Sequence, residues 1–319
     1  MKVTRAPMRE AAGEVRGTAH GAAQLAAAMP RLVLEARRVA ASLYHGVHGR
    51  RRAGPGENFW QYRRFIDGEP AQRVDWRRSA RDDILFVRER EWEAAHTIWI
   101  WADCSPSMIF NSNPERTPPK RDRALVLAFA LAELLVRGGE RVGVPELMRP
   151  TSSRAVIERM AEAIVHAPDS PSLPPPFFHP RAREEVILLG DFWSPTNEVI
   201  SRLAALAANG AGGHLVQIVD VAEETFPYSG RIEFEEPEGA GSITVGRAEN
   251  WAADYTTRVA AHRAAIQAEC ARRAWSVATH RTNRPASEML LALHARMSAS
   301  VDSLPHRQAA AQTMEEAAL

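Results

Sequence analysis

The sequence predicts an α/β fold, a mostly parallel sheet with helices on both faces. Two observations carry that expectation. From Thr97 onward, short apolar β-branched runs alternate with longer segments of helical period. Three of those runs close on an aspartate: IWIWAD at Asp103, VILLGD at Asp191 and LVQIVD at Asp220. In an open sheet of parallel strands such ends share one edge, where ligands bind. Residues far apart in sequence are therefore expected to meet there.

The elements follow in order. Residues 1–43 are Ala-rich and read as one or two helices, interrupted at Pro30. Residues 44–96 are dense in Arg, Gly and aromatics with poor periodicity, which predicts loops and short strands. Residues 97–300 form the α/β domain. TIWIWAD is its first strand, and RDRALVLAFALAELLVR is a buried helix stopped by Gly138 and Gly139. RVGVPEL is a weaker strand, and TSSRAVIERMAEAIVHA reads as a helix opened by its Thr and Ser. After the Pro-rich loop PDSPSLPPPFFHP come the strand EEVILLGD, the helix NEVISRLAALAANG and the strand GHLVQIVD. GRIEFEEPEGAGSITV reads as a hairpin, Trp251–Arg273 as a long helix, WSVATHRT as a last strand and ASEMLLALHARM as a last helix. Residues 301–319 are expected to be a disordered tail.

Composition excludes several classes. The chain is 319 residues with formal net charge +1, so the whole molecule is no polyanion binder by bulk charge. The two cysteines, Cys104 and Cys270, lack CxxC spacing and point to neither a disulfide framework nor a zinc site. The most apolar helix, Ala124–Val136, is too short to span a bilayer and contains Glu133. No membrane insertion and a cytoplasmic location are the expectation.

The stretch ADCSPSM places Asp103, Ser105 and Ser107 at alternate positions just past a strand. Two readings fit this spacing. Asp and Ser at such places cap free backbone N–H groups. The same D-x-S-x-S spacing also turns three oxygens toward one centre, which suits a hard cation such as Mg²⁺ or Mn²⁺. Asp191 and Thr151 are the candidates to complete that shell. With few carboxylates, such an ion would be electron-poor and would accept an acidic side chain from a partner protein.

DCSPSM after an apolar strand resembles the metal-ion-dependent adhesion site of von Willebrand factor A domains. The segment before it resembles the bacterial domain-of-unknown-function 58 family, on Gly54, Gly56, Glu57, Phe59, Arg63, Phe65, Gly68, Glu69, Arg73, Asp75, Trp76, Ser79, Ala80, Arg81, Val87, Arg88 and Glu89. QIVDVAEETFPYSGRIEFEE is similar to that family's later part. The resemblance implies a von Willebrand A-like sheet with a family-specific N-terminal extension. It implies a Mg²⁺ site at Asp103, Ser105, Ser107 and Asp191, with Thr151, or Ser152 or Ser153 in its place. It also implies a MoxR-type AAA+ ATPase as partner, in a chaperone-like role.

In the Arg-rich lead-in, acids are interleaved with arginines, which favours internal ion pairs over nucleic-acid binding. Arg73, Asp75, Trp76 and Arg81 are its candidate partner-binding residues. An enzyme is not expected. A phosphohydrolase of the haloacid-dehalogenase sort would need an acid where Ser105 stands. No G-x-S-x-G elbow or Walker A loop is present. That phosphohydrolase and a structural subunit with a degenerate metal site are the alternatives to a non-enzymatic adaptor.

Overall fold

The computed structural model describes residues 13–47, 59–65, 74–80, 84–90, 95–167, 171–236 and 241–297. Residues 1–12 and the tail 301–319 lie outside them. Two units divide the chain: residues 47–95, and residues 1–46 together with 96–319.

In the larger unit, six strands form one sheet. These are β3 (Thr97–Ala102), β4 (Arg141–Val144), β5 (Met148–Thr151), β6 (Glu185–Gly190), β7 (Gly212–Val219) and β10 (Ser276–Arg281), in the order β10-β7-β6-β3-β4-β5. All neighbours are parallel except β4 and β5. The predicted mostly parallel sheet is present.

Side-chain alternation along β6 sorts the core into two layers. Ile187 and Leu189 join one cluster, and Val186 and Leu188 the other. The first cluster packs under α1 (Gly13–Val47), α3 (Lys120–Arg137), α4 (Val156–Val165) and a last helix, α8, over residues 286–297. The second packs under α5 (Thr196–Ala207) and α7 (Ala252–Arg272). A short helix α6 (Val221–Thr225) follows β7, and a hairpin of β8 (Ile232–Glu235) and β9 (Ser242–Val245) lies between it and α7. No described helix is long and apolar enough to cross a membrane.

The structure departs from the sequence reading in two places. Pro30 does not interrupt the N-terminal helix, because α1 runs through it. Leu25, Met29, Leu32, Ala36, Ala40 and Leu43 recur at helical spacing and are buried against the sheet's first core cluster. Pro30 is exposed on the opposite face, and packing of the buried face offsets the lost hydrogen bond.

Thr151 does not open a helix. It closes β5, an edge strand, and α4 begins only at Val156. The run MRPT shows no alternation, and it carries a proline that an edge strand tolerates. A tight turn with Glu146 at φ 59° folds β5 back on β4.

The smaller unit holds β1 (Phe59–Arg64) paired antiparallel with β2 (Phe86–Arg90), and a one-turn helix α2 (Trp76–Ser79). Asp75 caps α2, its Oδ1 accepting from Arg78 N at 3.0 Å. Ser79 Oγ donates to Asp75 O and accepts from Phe86 N, tying α2 to β2. Short strands and polar ties are what the lead-in composition predicted. Arg73 and Arg81 lie outside the described residues. Asp75 acts within the unit, and Trp76 is 61% exposed.

Candidate metal centre at the carboxyl edge of the sheet

The carboxyl ends of β3, β6 and β7 carry the three aspartates on one edge. Asp103 continues the ladder, its N–H donating to Leu189 O at 2.8 Å. The chain then turns into a 3₁₀ helix, Pro106–Ile109, with Ser105 as its N-cap. Each aspartate accepts from the backbone N–H two residues on. Ser105 N reaches Asp103 Oδ1 at 2.8 Å, Trp193 N reaches Asp191 Oδ1 at 3.2 Å, and Ala222 N reaches Asp220 Oδ1 at 2.9 Å. This is the capping role that such residues are expected to fill.

What lies beyond the cap differs. Ser105 Oγ and Ser107 Oγ are 3.1 Å apart, and Ser107 Oγ donates to Asp191 Oδ2 at 3.0 Å. Lys120 Nζ, at the first turn of α3, donates to the same Asp191 oxygen at 2.8 Å and to Glu223 Oε1 at 2.5 Å. Glu223 is itself held by Asp220 N on its other oxygen, at 2.9 Å, closing a capping box on α6. Among the described residues Asp103 Oδ2 is buried and meets no donor at hydrogen-bonding geometry, although the Ser105 hydroxyl lies near enough to the carboxyl to pull its pKa down.

Asp103, Ser105, Asp191 and Lys120 are each at most 1% exposed. Burial pushes the Asp103 carboxyl up to about 8, and the nearby Asp191 charge adds to this. Burial raises Glu223 as well, against the pull of Lys120. Burial on its own would lower Lys120, but Asp191 and Glu223 outweigh it and hold the ammonium above its ordinary value.

Two further features shape the edge. Gly190, just before Asp191, leaves room for Asp103: a side-chain carbon there would lie 3.0 Å from Asp103 Cβ and 3.2 Å from Oδ2. Phe192 turns the chain after Asp191 in the left-handed region, at φ 55°. His262 of α7 secures that turn, its Nε2 2.7 Å from Phe192 O and its Nδ1 2.8 Å from Thr196 Oγ1. Gln217 of β7 donates to Asp191 O at 2.9 Å.

Asp103, Ser105, Ser107 and Asp191 therefore converge as the sequence suggests. Thr151 does not join them. It pairs with Val142, which pairs with Ile98, so it lies level with the start of β3. Asp103 is five residues further on, roughly 16 Å along the strand direction at ~3.3 Å per residue. β5 runs antiparallel, and this carries its end to the amino edge of the sheet. Ser153 N donates to Thr151 Oγ1 at 3.1 Å there.

Sequence reasoning missed Lys120 and Glu223. A lysine at the start of α3 and an acid in the first turn of the short helix α6 look like ordinary surface charge. One signal was available for the lysine. Of the 40 basic Lys and Arg residues, only Lys2 and Lys120 are lysines.

Among the described residues no three His, Cys, Asp or Glu side chains are grouped to hold a metal. The donor set here is two carboxylates and two hydroxyls, all hard oxygens of the kind Mg²⁺ and Mn²⁺ take. The orphaned, buried Asp103 Oδ2 is the open acceptor such an ion would satisfy. Three carboxylates and one ammonium leave a net charge of −2 when ionised, which one divalent ion cancels. The donor set fits.

Residues 61–265 match the family model described as "Protein of unknown function DUF58". Uncharacterized proteins of Mycobacterium bovis and of two strains of Mycobacterium tuberculosis are 31% identical to this chain over 120 residues. That stretch is 38% of this chain and 37% of each relative, so the match spans little more than a third of these curated proteins. No solved structure matches the chain.

Proposed function

The chain belongs to the DUF58 family, and from that premise we propose that it is a non-enzymatic interaction protein with a cation-dependent adhesion site. Asp103 Oδ2, Ser105 Oγ, Ser107 Oγ and Asp191 Oδ2 would hold Mg²⁺ or Mn²⁺. When bound, such an ion supplies a coordination position that an acidic side chain of a partner protein can fill. The observation that carries this reading is the buried Asp103 Oδ2, without a hydrogen-bond partner among the described residues, beside two hydroxyls and a second carboxylate. A buried acceptor without a partner costs stability, and a cation removes that cost.

The sheet order, with one antiparallel edge strand beside five parallel ones, supports the von Willebrand A-like assignment. Family resemblance supplies the expected partner, a MoxR-type AAA+ ATPase, and a chaperone-like role in the cytoplasm. The exposed Trp76 ring is a further surface such a partner would use. Against a phosphohydrolase stands Ser105, which occupies the place of the required acid and is 1% exposed.

A second reading, a structural subunit that binds no metal, is favoured by one observation. Lys120 already places a positive charge on Asp191. Calorimetric titration of Mg²⁺ and Mn²⁺ into metal-free protein separates the two. Saturable binding that Asp103→Asn abolishes is the expected result. Equal heats from wild type and variant would leave the structural subunit.

A further inference from the structure

Lys120 stands in an expensive place. It is 1% exposed, at the first turn of α3, where the helix dipole disfavours a cation. The chain otherwise meets its need for positive charge almost wholly with arginine. A guanidinium is a broad planar fork, whereas an ammonium is a compact charge with three donors that can be redistributed among acceptors. A lysine kept at this one interior position points to a use for that compactness.

Its two partners are unequal. Asp191 Oδ1 is taken by Trp193 N, so only Oδ2 faces Ser107. Lys120 holds that same Oδ2. Any cation gathered by Ser105, Ser107 and Asp191 must therefore use the oxygen the ammonium occupies. Glu223, in contrast, faces no other described cation, and the capping box fixes it independently of the ammonium. It is a standing acceptor to which Lys120 can retreat.

Resting on the metal reading above, we propose that Lys120 is the resident cation of this site and that metal loading is an exchange of cations. In the metal-free protein the ammonium bridges Asp191 and Glu223. On loading it gives up Asp191 Oδ2 and stays with Glu223, while the Ser107 hydroxyl turns its proton away from Asp191 and offers a lone pair. At Lys120 and Ser107 only hydrogen bonds and coordination change, and the ammonium keeps its proton count. The exchange keeps the cluster from ever standing without a counter-charge, and it makes the affinity for the ion depend on Lys120 and Glu223, neither of which is a ligand.

The scarcity of lysine makes the test direct. In full-length protein labelled with [¹⁵N]lysine, only Lys2 and Lys120 give side-chain signals. Mg²⁺ is titrated while the Lys120 ammonium signal is followed, and calorimetry is run on wild type, Lys120→Met and Glu223→Gln. The Lys120 signal is expected to move in step with saturation. Lys120→Met should bind Mg²⁺ at least about tenfold more tightly. Glu223→Gln keeps an oxygen for Asp220 N but removes the second harbour, and should bind about tenfold more weakly. Binding by Lys120→Met alone would overturn the exchange, since the ammonium would then block the site and never yield it. Saturable binding with an unmoved Lys120 signal would overturn it and leave the metal reading intact. No binding by any of the three proteins would overturn both. The signal needs no variant, so a poorly folding Lys120→Met leaves the test standing.

Discussion

β3 and β7 end alike, in a buried aspartate whose first oxygen caps the turn that follows, yet they differ in the second oxygen. Asp220 uses both. Ala222 N and Ser112 Oγ donate to Oδ1, and Ser112 N donates to Oδ2 at 3.0 Å. Asp103 uses one, and its Oδ2 is left over. Asp191, at the end of β6, lies between them, with its second oxygen shared by a hydroxyl and an ammonium. Capping and ligation are therefore not rival explanations of an aspartate at a strand end. Each carboxylate has two oxygens, and the first goes to the backbone in all three cases. Whether the residue is also functional is decided by what reaches the second.

The largest effect that would sharpen this contrast comes from Lys120→Met in metal-free protein. Removing one member of a buried charge cluster costs about 3–5 kcal/mol, and the melting temperature should fall by about 10 °C. A fall of no more than about 2 °C would mean that Asp191 and Glu223 are solvated, and the contrast between the strand ends would lose its basis.

The next effect is a pH dependence. In the folded, metal-free protein the Asp103 carboxyl is raised to about 8, against an unfolded value near 3.8. Between those values the folded state holds the proton and the unfolded state does not. The resulting stability is full below about pH 4 and is lost as pH rises through about 8, at up to about 1.4 kcal/mol per unit. Asp103→Asn should flatten that part of a melting curve series between pH 5 and 8. Mg²⁺ binding to wild type should in turn release a proton, so its affinity weakens by up to about tenfold per unit below pH 8. Affinity independent of pH across that range would show Asp103 already ionised.

A smaller effect is expected at the other strand end. Asp220→Asn sets a side-chain amide against Ser112 N and should cost about 1–2 kcal/mol by thermal melting, with Mg²⁺ affinity unchanged. Loss of Mg²⁺ binding in this variant would break the comparison, since it would give both strand ends the same role. The smallest belongs to Thr151→Ala, which should lose the tie to Ser153 N and a long contact with Arg159 Nη1 and leave Mg²⁺ titrations as they are in wild type.

The sequence carried the architecture and most of the centre because both depend on local pattern. Apolar runs ending in acids located Asp103, Asp191 and Asp220 on one edge, and alternation placed Ser105 and Ser107 beside them. Thr151 was misplaced because TSS before an apolar run has the composition of a helix cap. The strand MRPT is short, and its proline masks its pairing at the sheet edge. Lys120 and Glu223 were not legible for a different reason. Their roles arise only from contacts made across 71 and 103 residues of chain, and neither belongs to a spaced motif. Pro30 shows the same principle in the helix, where long-range burial of one face overrides a local breaker.

The burial of Lys120 has a practical corollary for chemistry aimed at side-chain amines. Lysine-directed reagents and proteases find two side-chain addresses in the sequence, and one of them is sealed between Asp191 and Glu223. Modification at Lys120 can proceed only in molecules whose carboxyl edge has opened. Its rate therefore clocks the opening of this centre, with Lys2 as the one other lysine in the sequence to tell apart.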